Sequence, residues 1–448
     1  MSKTRRMARG GCGVSWTLDQ GTDAQHDAET PHGTPPPATH RLEGMSVDLE
    51  SLYTDLHTHP ELSFQETRTA GVIARHLAGL GLEVEEGVGR TGVVTRIDNG
   101  PGPVVWLRAD MDGLPVEEQT GLAYASTARG TDPAGNAVPV MHACGHDMHV
   151  TALIGALERL VATTAEWSGT VVAVFQPAEE YGAGSQAMIA DGVLDRYPRP
   201  DIVLGQHVTP LPAGTIGVRP GTQMAASDGL TVVLHGRGGH GSRPHSTIDP
   251  VVMAAATVMR LQTVVSREVD PRDVAVVTVG SIHAGLKNNI IPAEAKLELS
   301  LRYPDDAARA RVMSKVERII RAEAEASGAE QTPTITTDHT LPPTINDPDA
   351  TSRLTAAFRR AFGEGSVVDP GMFTGSEDVS WFARESGVPL VFWFWGGVDP
   401  QTFADAVAGG TVERDIPTNH SPFFAPVMQP TIDRGVENLV VAAREFLD

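Results

Sequence analysis

The 448-residue sequence has few cysteines, a deficit of basic residues and no long apolar segment. Its two cysteines, Cys12 and Cys144, cannot build the disulfide framework of a small secreted domain, so a reducing, cytoplasmic environment is expected. The longest apolar runs, such as Val391 to Trp395, are far shorter than the roughly 20 residues that cross a bilayer. The sequence therefore predicts no membrane-spanning segment.

Acidic residues outnumber basic ones, with 56 Asp and Glu against 35 Lys and Arg, which gives a formal net charge of −21. A chain of this sign is repelled by phosphate backbones and anionic membrane surfaces unless it carries a basic stripe, and the sequence contains none. Nucleic acid and membranes are therefore not expected partners. Hydrophobic residues make up 41% of the chain, enough for a large core, and the length predicts two or three domains.

The first 44 residues differ in composition from the rest. They are polar, rich in Gly and Thr, and contain the triplet Pro35-Pro36-Pro37 without an apolar stretch. Such a segment cannot bury enough surface to offset the entropy of ordering. Residues 1–44 are therefore interpreted as a disordered leader, or as sequence upstream of a functional start at Met45.

Apolar periodicity after Asp48 predicts strands alternating with helices, which indicates an α/β fold with a mostly parallel central sheet. This domain is predicted to be discontinuous, at residues 45–223 and 343–448. Its predicted helices include Leu49–Leu56, Thr69–Leu80, Val150–Val161 and Asp433–Leu447, and its predicted strands include Gly92–Ile97, Val104–Leu107, Thr170–Phe175, Ile202–Leu204 and Leu390–Trp395.

In residues 224–342 the predicted elements follow the order β-α-β-β-α-β, which is typical of a ferredoxin-like unit. We expect this segment to form an inserted lid or dimerisation domain. Its predicted elements are the strands Leu230–Leu234, Val274–Val279, Ala295–Leu301 and Thr334–Thr337 and the helices Pro250–Gln262 and Asp305–Ala326.

The strongest local motif is MHACGHDMH at residues 141–149, which places the thiol of Cys144 among the imidazoles of His142, His146 and His149. A soft thiolate with borderline imidazoles suits Zn²⁺, Mn²⁺, Co²⁺ or Ni²⁺ better than Mg²⁺ or Ca²⁺. The alternative is a buried inert cysteine flanked by surface histidines.

Further polar side chains follow predicted strands, where a parallel sheet forms its ligand crevice. Glu179 and Glu180 follow one strand; because adjacent side chains diverge, one can bind a metal while the other takes a proton from water. His207, Asp110 and Asp112 occupy similar places, and His420 lies in the motif NHSP. Taken singly, these residues also fit a solvated turn or a structural histidine.

Together, HACGHD, QPAEE, GQHV and NHSP resemble the binuclear metal amidohydrolases of the aminoacylase and carboxypeptidase-G family. The most similar branch comprises hippurate hydrolases, auxin-conjugate hydrolases and bacterial N-acyl-amino-acid amidohydrolases. The stretches HPELSFQE, LRADMDGLP, GGHGSRPH, NIIP and GSED extend the resemblance from about His57 to Phe423.

The resemblance implies a pair of divalent ions, Zn²⁺ or Mn²⁺ with Co²⁺ and Ni²⁺ as further candidates, and a homodimer formed through the inserted domain. It implies that Glu179 is the catalytic base. It also implies that the His240 imidazole reaches the active site of the partner subunit; the alternative for His240 is a turn with a solvent-facing imidazole. Asn289 and Arg302 would bind the carboxylate end of the substrate, although Arg302 also fits an edge-strand salt bridge. The implied metal ligands are Cys144, His146, Glu180, His207 and His420.

The peptidase branch carries His-x-Asp where this chain has Arg108-Ala109-Asp110, so Asp110 is predicted only to orient ligands. His142, Asp147 and His149 flank the predicted ligands and are interpreted either as groups that support them or, preferably, as helix-capping or surface groups. The expected activity is hydrolysis of the amide bond of N-acyl or N-aroyl amino acids. Alternatives are a metallo-dipeptidase or carboxypeptidase and a noncatalytic metal-binding scaffold.

Overall fold

The computed structural model describes residues 47–447, and the predicted leader at residues 1–44 lies outside the described residues. The strands are β1 Val84–Val88, β2 Gly92–Asn99, β3 Val104–Asp110, β4 Arg129–Thr131, β5 Ala137–Pro139, β6 Gly169–Gln176, β7 Ile202–Pro212, β8 Ile216–Gly217, β9 Gly221–Met224, β10 Ala226–His235, β11 Gly239–His240, β12 Val276–Ala284, β13 Ile290–Ile291, β14 Glu294–Tyr303, β15 Thr334–Leu341, β16 Thr344–Asn346, β17 Val367–Val368 and β18 Leu390–Val398. The helices are α1 Leu49–Thr58, α2 Thr67–Gly79, α3 His146–Ala162, α4 Gly184–Ala190, α5 Val193–Arg196, α6 Pro250–Thr263, α7 Asp306–Ala326, α8 Pro348–Phe362, α9 Ser380–Ser386, α10 Pro400–Gly409, α11 Val412–Asp415 and α12 Met428–Leu447.

The larger sheet has eight strands in the order β1-β2-β6-β3-β7-β18-β8-β17. Its centre, β6-β3-β7-β18, is parallel, whereas β1, β2 and β8 pair antiparallel with a neighbour. The central strands are buried on both faces because helices cover them, which is why β6 is a nearly continuous apolar run. The α/β class with a mostly parallel central sheet is confirmed.

Helices α3 and α12 pack on one face of this sheet and share its main core with α1 and α8. α3 is buried at every residue from His146 to Leu157, so the sequence after the HACGH motif lies inside the domain rather than at its surface. The carboxyl ends of β3 and β6 lie side by side, with Asp110 paired to Gln176. His207 lies on β7 two residues beyond Gly205, the last β7 residue that pairs with β3, and therefore lies at the same edge of the sheet.

The smaller sheet is fully antiparallel, in the order β12-β14-β10-β15, with α6 and α7 packed against it. The observed chain order β10-α6-β12-β14-α7-β15 is the predicted β-α-β-β-α-β unit. Side-chain oxygens of Asp249 and Asp305 cap α6 and α7. The two segments that join this unit to the larger sheet pair with each other, Met224 opposite Thr344. The domain limits at residues 224 and 342 stay predictions.

Several elements differ from the sequence prediction. β7 and β15 extend several residues beyond their predicted ends, and α12 begins at Met428, with nonhelical backbone at Gln429 and Pro430 before the predicted start at Asp433. β1 and the short α10 and α11 were not predicted. Within residues 47–447, no helix is both long and apolar enough to cross a membrane.

Candidate metal centre and active site

A cavity of about 1040 Å³ lies between the edge of the larger sheet and the inserted antiparallel sheet. Two groups of residues line it. The first, called the catalytic wall here, consists of Cys144, Glu179, Glu180, His207, Glu377 and His420. The second, called the inserted-domain wall, consists of Ser227, Val276, Thr278, Ser300, Arg302 and His339.

Three of the five predicted metal ligands form a compact cluster at the start of α3. Ligand atoms of Cys144, His146 and Glu180 all lie within 4.8 Å of one another. Gly145 between the first two has φ of 83°, a left-handed conformation that favours glycine, and a Cβ there would lie 2.5 Å from Val208 Cγ1. This glycine turn lets the thiol and the first imidazole of α3 converge on one point.

His207 and His420 complete the set of predicted ligands. His207 Nε2 lies 3.4 Å from Cys144 Sγ, while its Nδ1–H donates to the Val208 carbonyl at 2.8 Å and leaves Nε2 with a free lone pair. His420 Nε2 lies 3.4 Å from Glu180 Oε2. The structure therefore brings together residues from four separate parts of the chain.

Asn419 holds the segment that carries His420. Its side-chain amide donates to the carbonyls of Cys144 at 3.2 Å and Val208 at 3.1 Å, and the His420 backbone N–H donates to Ala143 O at 2.8 Å. His420 itself has φ of 69°, so its backbone conformation is one that the surrounding contacts must maintain. These hydrogen bonds fix the NHSP loop against the HACGH turn.

The buried polar atoms fit divalent cations. Within residues 47–447, His146 Nε2 and Glu180 Oε1 are buried and have no hydrogen-bond partner. Six buried carboxylates surround Arg108 and His146, an excess of negative charge that is costly without cations: Asp110, Asp112, Glu179, Glu180, Glu377 and Asp378. Thiolate, imidazole and carboxylate together form the donor set typical of Zn²⁺ and related ions.

The same charges perturb the pKa values of the acidic groups. Burial, and then the negative charges of Glu180 and Glu179, raises the pKa of the Cys144 thiol well above its ordinary value. Burial also raises the pKa of Glu180 to about 8, although His146 opposes this change. Cations at this position would stabilise the deprotonated forms of both groups, because metal ligands bind as anions.

Glu179 lies beside the cluster of predicted metal ligands and is 8% exposed. Its Oε2 is 3.9 Å from His146 Nε2, and carboxylate oxygens of Glu179, Glu377 and Asp378 lie within 4.8 Å of one another. Burial, followed by the charge of Glu377, raises the pKa of Glu179 well above its ordinary value. A carboxylate in such surroundings is a stronger proton acceptor than one in water.

Arg108 connects the two sequence segments that supply these carboxylates. Its guanidinium donates to Glu377 Oε1 at 2.6 Å, to Asp110 Oδ2 at 2.6 Å and to Asp378 Oδ1 at 3.1 Å, and Nε donates to Gln176 Oε1 at 2.9 Å. The side chain is almost fully buried. Arg108 therefore replaces the missing histidine with a structural cation that neutralises part of the acidic site.

Asp112, for which the sequence predicted no specific role, has hydrogen bonds to three residues of the site. Its Oδ1 accepts from His146 Nδ1 at 3.2 Å and from the Glu179 N–H at 3.1 Å. Its Oδ2 accepts from the Glu180 N–H at 3.1 Å and from Ser63 Oγ at 2.6 Å. One carboxylate thus orients the imidazole of His146, a predicted metal ligand, and both adjacent glutamates.

The neighbours of the ligands are buried, contrary to the sequence prediction. His149 donates from Nδ1 to Asp110 and accepts from the Val208 N–H at Nε2, 3.0 Å, so neither nitrogen is free for a metal. Asp147 accepts from His57 Nδ1 at 2.6 Å. His142 is also buried. The interpretation as surface groups was wrong because α3 runs through the domain interior. Asp147 Oδ1 does accept from the Met148 N–H in the first turn of α3, at 2.9 Å. The contacts of Asp110 with Arg108 and His149 fit its predicted orienting role.

The three remaining candidates lie on the inserted domain. Arg302 lines the cavity and donates from Nη1 to Ser376 Oγ at 2.6 Å. It belongs to β14, an inner strand, so the edge-strand salt bridge was wrong. His240 and Asn289 are exposed and lie together on the small β11–β13 ribbon, outside the cavity lining. Glu377 and Asp378 were missed as site residues, although they belong to the quoted motif GSED.

Comparisons with known proteins agree with this geometry. Residues 106–417 match Peptidase family M20/M25/M40. The chain is 37% identical over 346 residues to thermostable carboxypeptidase 1 of Saccharolobus solfataricus, covering 76% of this chain and 84% of that protein. It is also 37% identical over 340 residues to hippurate hydrolase of Campylobacter jejuni, covering 75% and 85%.

A solved structure of a dinuclear metal-binding peptidase of the M20 family from Bacillus subtilis has 30% sequence identity and a TM-score of 0.70, and the match covers 89% of this chain and 98% of that one. The resemblance inferred from the motifs is therefore confirmed. The chain belongs to peptidase family M20/M25/M40, within its amidohydrolase branch of metal-dependent hydrolases.

Proposed function

We propose that this chain hydrolyses the amide bond of N-acyl or N-aroyl amino acids and releases a carboxylic acid and an amino acid. The observation that carries this proposal is the convergence of five side chains of metal-ligating types beside the buried carboxylate of Glu179, at the edge of a cavity that Arg302 also lines. The proposed metal ligands are Cys144, His146, Glu180, His207 and His420.

Divalent ions bound there, Zn²⁺ or Mn²⁺ in the first instance and Co²⁺ or Ni²⁺ otherwise, would acidify a water molecule and polarise the scissile carbonyl. Glu179 accepts the proton that the water loses as its oxygen bonds to the carbonyl carbon. When the C–N bond breaks, Glu179 donates that proton to the departing amine nitrogen. Asp112 keeps the backbone of Glu179 in place through the hydrogen bond to its N–H.

We further propose that the active enzyme is a homodimer, that His240 acts on the partner subunit's site and that Asn289 binds the carboxylate end of the substrate. Both residues are exposed and lie outside the cavity of their own subunit. The inserted domain also exposes large apolar side chains that a partner would cover: Val252 is 64% exposed, Met259 72% and Leu286 102%. An imidazole arriving from the partner can donate a hydrogen bond to the carbonyl oxygen as negative charge develops there.

A carboxypeptidase or dipeptidase activity is the second candidate, favoured by the similarity to thermostable carboxypeptidase 1. Both candidates use the same metal centre and the same base. They differ in the acyl group that is bonded to the nitrogen of the scissile amide. In an N-acyl or N-aroyl amino acid this group has no α-amine, whereas in a dipeptide it is an amino acid with a free α-amine.

An amine-release screen on metal-analysed protein tests the proposal. We expect turnover of N-acetyl, N-benzoyl and N-indoleacetyl amino acids to exceed that of dipeptides. Glu179→Gln should lower kcat by about 10²- to 10⁴-fold while metal content stays unchanged, because the base is removed but the ligands are not. Glu413→Gln, an exposed glutamate on α11, serves as the matched control and should retain full activity.

Faster release from dipeptides than from acylated amino acids would favour the peptidase. The third outcome is that metal-loaded protein binds acyl-amino acids but Glu179→Gln does not lower the rate of amine release. The chain would then be a noncatalytic metal-binding scaffold.

A further inference from the structure

The inserted-domain wall is one face of the antiparallel sheet. Side chains of a strand alternate between faces, and Leu230, Leu299 and Leu301 point into the core beneath the helices, so the intervening residues point toward the cavity. Strand register aligns these residues in two rows that cross the four strands in the order β12, β14, β10, β15. The rows are Val276–Arg302–Ser227–Leu341 and Thr278–Ser300–Gly229–His339. Every member except Gly229 lines the cavity.

His339 owes its position to two local features. A bulge in the pairing of β10 with β15 makes Asp338 an extra residue, so that His339 pairs with Gly229. The imidazole then lies directly over this glycine, since a Cβ on Gly229 would be 2.2 Å from His339 Cε1 and 2.5 Å from Nδ1. Any other residue at position 229 would displace the ring. The absence of a side chain at Gly229 leaves room for the imidazole to lie over β10, on the side of the sheet where Ser300 is the next member of the row.

The charge distribution indicates what this imidazole could bind. Buried carboxylates crowd the catalytic wall, whereas Arg302 is the one Arg or Lys that lines the cavity in the part of the chain from 47 to 447. Only Nη1 of Arg302 is engaged, by Ser376. The His339 imidazole has no hydrogen bond to any residue between 47 and 447. Arg302 and His339 therefore offer an anionic group a cation and an unengaged imidazole on one face. The carboxylate of Asp338, which also lines the cavity, accepts from Thr231 Oγ1 at 2.8 Å.

We propose that His339, held over Gly229, binds the α-carboxylate of the substrate together with Arg302 and thereby selects substrates that carry a free carboxylate. This inference rests on the proposed function, because the carboxylate is that of the N-acyl amino acid. Unlike His240, His339 acts within its own subunit. It is a substrate-positioning residue with no part in proton transfer.

The test compares N-acetylmethionine and N-benzoylglycine with their carboxamides, which lack the charge. For the two acids, His339→Ala should raise KM about tenfold, roughly the effect of losing one hydrogen bond to a charged group, with kcat within about twofold of wild type. The amides should show no change in KM. His339→Gln, which keeps a donor, should recover part of the loss. Gly229→Ala should reproduce the effect of His339→Ala, because the new methyl displaces the ring.

His283→Ala is the matched control, since His283 is an exposed histidine on β12 that does not line the cavity. An unchanged KM for the acids in His339→Ala, or an equal rise for acids and amides, would overturn the inference. Calorimetric binding of the same acids and amides to metal-loaded Glu179→Gln protein measures the preference without turnover. Wild type that binds acids more tightly than amides through His339 but hydrolyses neither would refute the proposed function and leave this inference intact.

Discussion

The two walls of the cavity are built in opposite ways. On the catalytic wall, Glu179, His207 and Glu377 are buried. The Glu377 carboxylate accepts from Arg108, His207 Nδ1 donates to the Val208 carbonyl, and the Glu179 backbone N–H donates to Asp112. On the inserted-domain wall, Arg302 and His339 are partly or fully exposed, with one or no hydrogen bond to their side chains among residues 47–447. The first arrangement suits chemistry that needs fixed positions, and the second suits recognition of a group that arrives with the substrate.

The contrast continues beyond the walls. Arg108, Asp112 and His149 lie behind the catalytic wall, and each has at least two hydrogen bonds to neighbouring polar groups. His240 and Asn289 are instead exposed, and His240 Nδ1 has hydrogen bonds only to Ser242, two residues away, among residues 47–447. We infer that the catalytic wall is complete within one chain, whereas the inserted domain needs a substrate or a partner subunit to complete its contacts.

The largest effect is expected from Arg108→Met, which removes the cation that neutralises three buried carboxylates. Breaking a buried ion pair from one side costs about 3–5 kcal/mol of the free energy of unfolding, because the remaining charges stay buried. Urea denaturation of the apo protein measures this loss. Arg96→Met is the control, since Arg96 pairs with Asp98 in an exposed position and should cost less than about 1 kcal/mol. Equal losses in the two variants would show that the catalytic wall does not depend on its buried cation.

The next effect concerns the proposed cross-subunit role of His240. We expect His240→Ala to lower kcat by about 10²- to 10³-fold, the effect of removing one donor to a developing oxyanion. Mixed dimers of His240→Ala and Glu179→Gln subunits should regain activity, because one of their two sites then contains both an intact Glu179 and an intact His240. Mixed dimers as inactive as either parent would place His240 in its own subunit's site or outside catalysis.

A smaller effect is expected from Asp112→Asn. In the variant, an NH2 group replaces one of the two carboxylate oxygens. That NH2 group is a donor facing the N–H of either Glu179 or Glu180, so at least one orienting hydrogen bond is lost. Changes in such supporting groups typically lower activity or metal affinity about 10- to 100-fold. Titration with Zn²⁺ alongside kcat measurements checks both quantities. Ser63→Ala, which removes a single donor to the same carboxylate, should have a weaker effect, and an equal or stronger one would contradict the role assigned to Asp112.

The smallest effect concerns the pH dependence of stability. Burial lowers the pKa of His57, but hydrogen bonds to Asp147 and Glu118 outweigh it and raise the pKa to about 10. Because the folded-state pKa lies above the unfolded value of about 6.5, the stabilisation is fully present below pH 6.5 and is lost as pH rises toward 10. Neutral imidazole can donate to only one of the two carboxylates, so Tm should fall by roughly a few degrees over this range. His57→Gln should show a flatter Tm profile between pH 6.5 and 10, and an unchanged slope would exclude His57 as its source.

The sequence was sufficient for the fold class and for every residue of the catalytic wall except Glu377. Apolar periodicity predicted the parallel sheet and the β-α-β-β-α-β unit, since buried strands and amphipathic helices have distinct repeats. The predicted ligands Cys144, His146, Glu180 and His207 converge because each lies at or near the end of a strand or the start of a helix at the same edge. Their binding of two ions stays a prediction.

Contacts between residues far apart in the sequence could not be predicted from local sequence patterns. Arg108 contacts Glu377 across 269 positions, and His57 contacts Asp147 across 90, so neither pairing leaves a periodic signal. The burial of His142 and His149 depends on α3 running through the interior, which the motif alone does not reveal. The position of His339 depends on a bulge and on a glycine in a neighbouring strand. Each of these contacts is a property of tertiary packing.

The most direct test of the account is the number of divalent ions per subunit, measured by elemental mass spectrometry on Zn²⁺-loaded and then dialysed protein. We predict two ions per subunit in wild type and in Glu179→Gln, and one or none in Cys144→Ala and His146→Ala, because their ligand atoms lie together at the start of α3. Retention of two ions in both ligand variants, or fewer than two in wild type, would contradict the claim that these side chains form a binuclear centre beside Glu179.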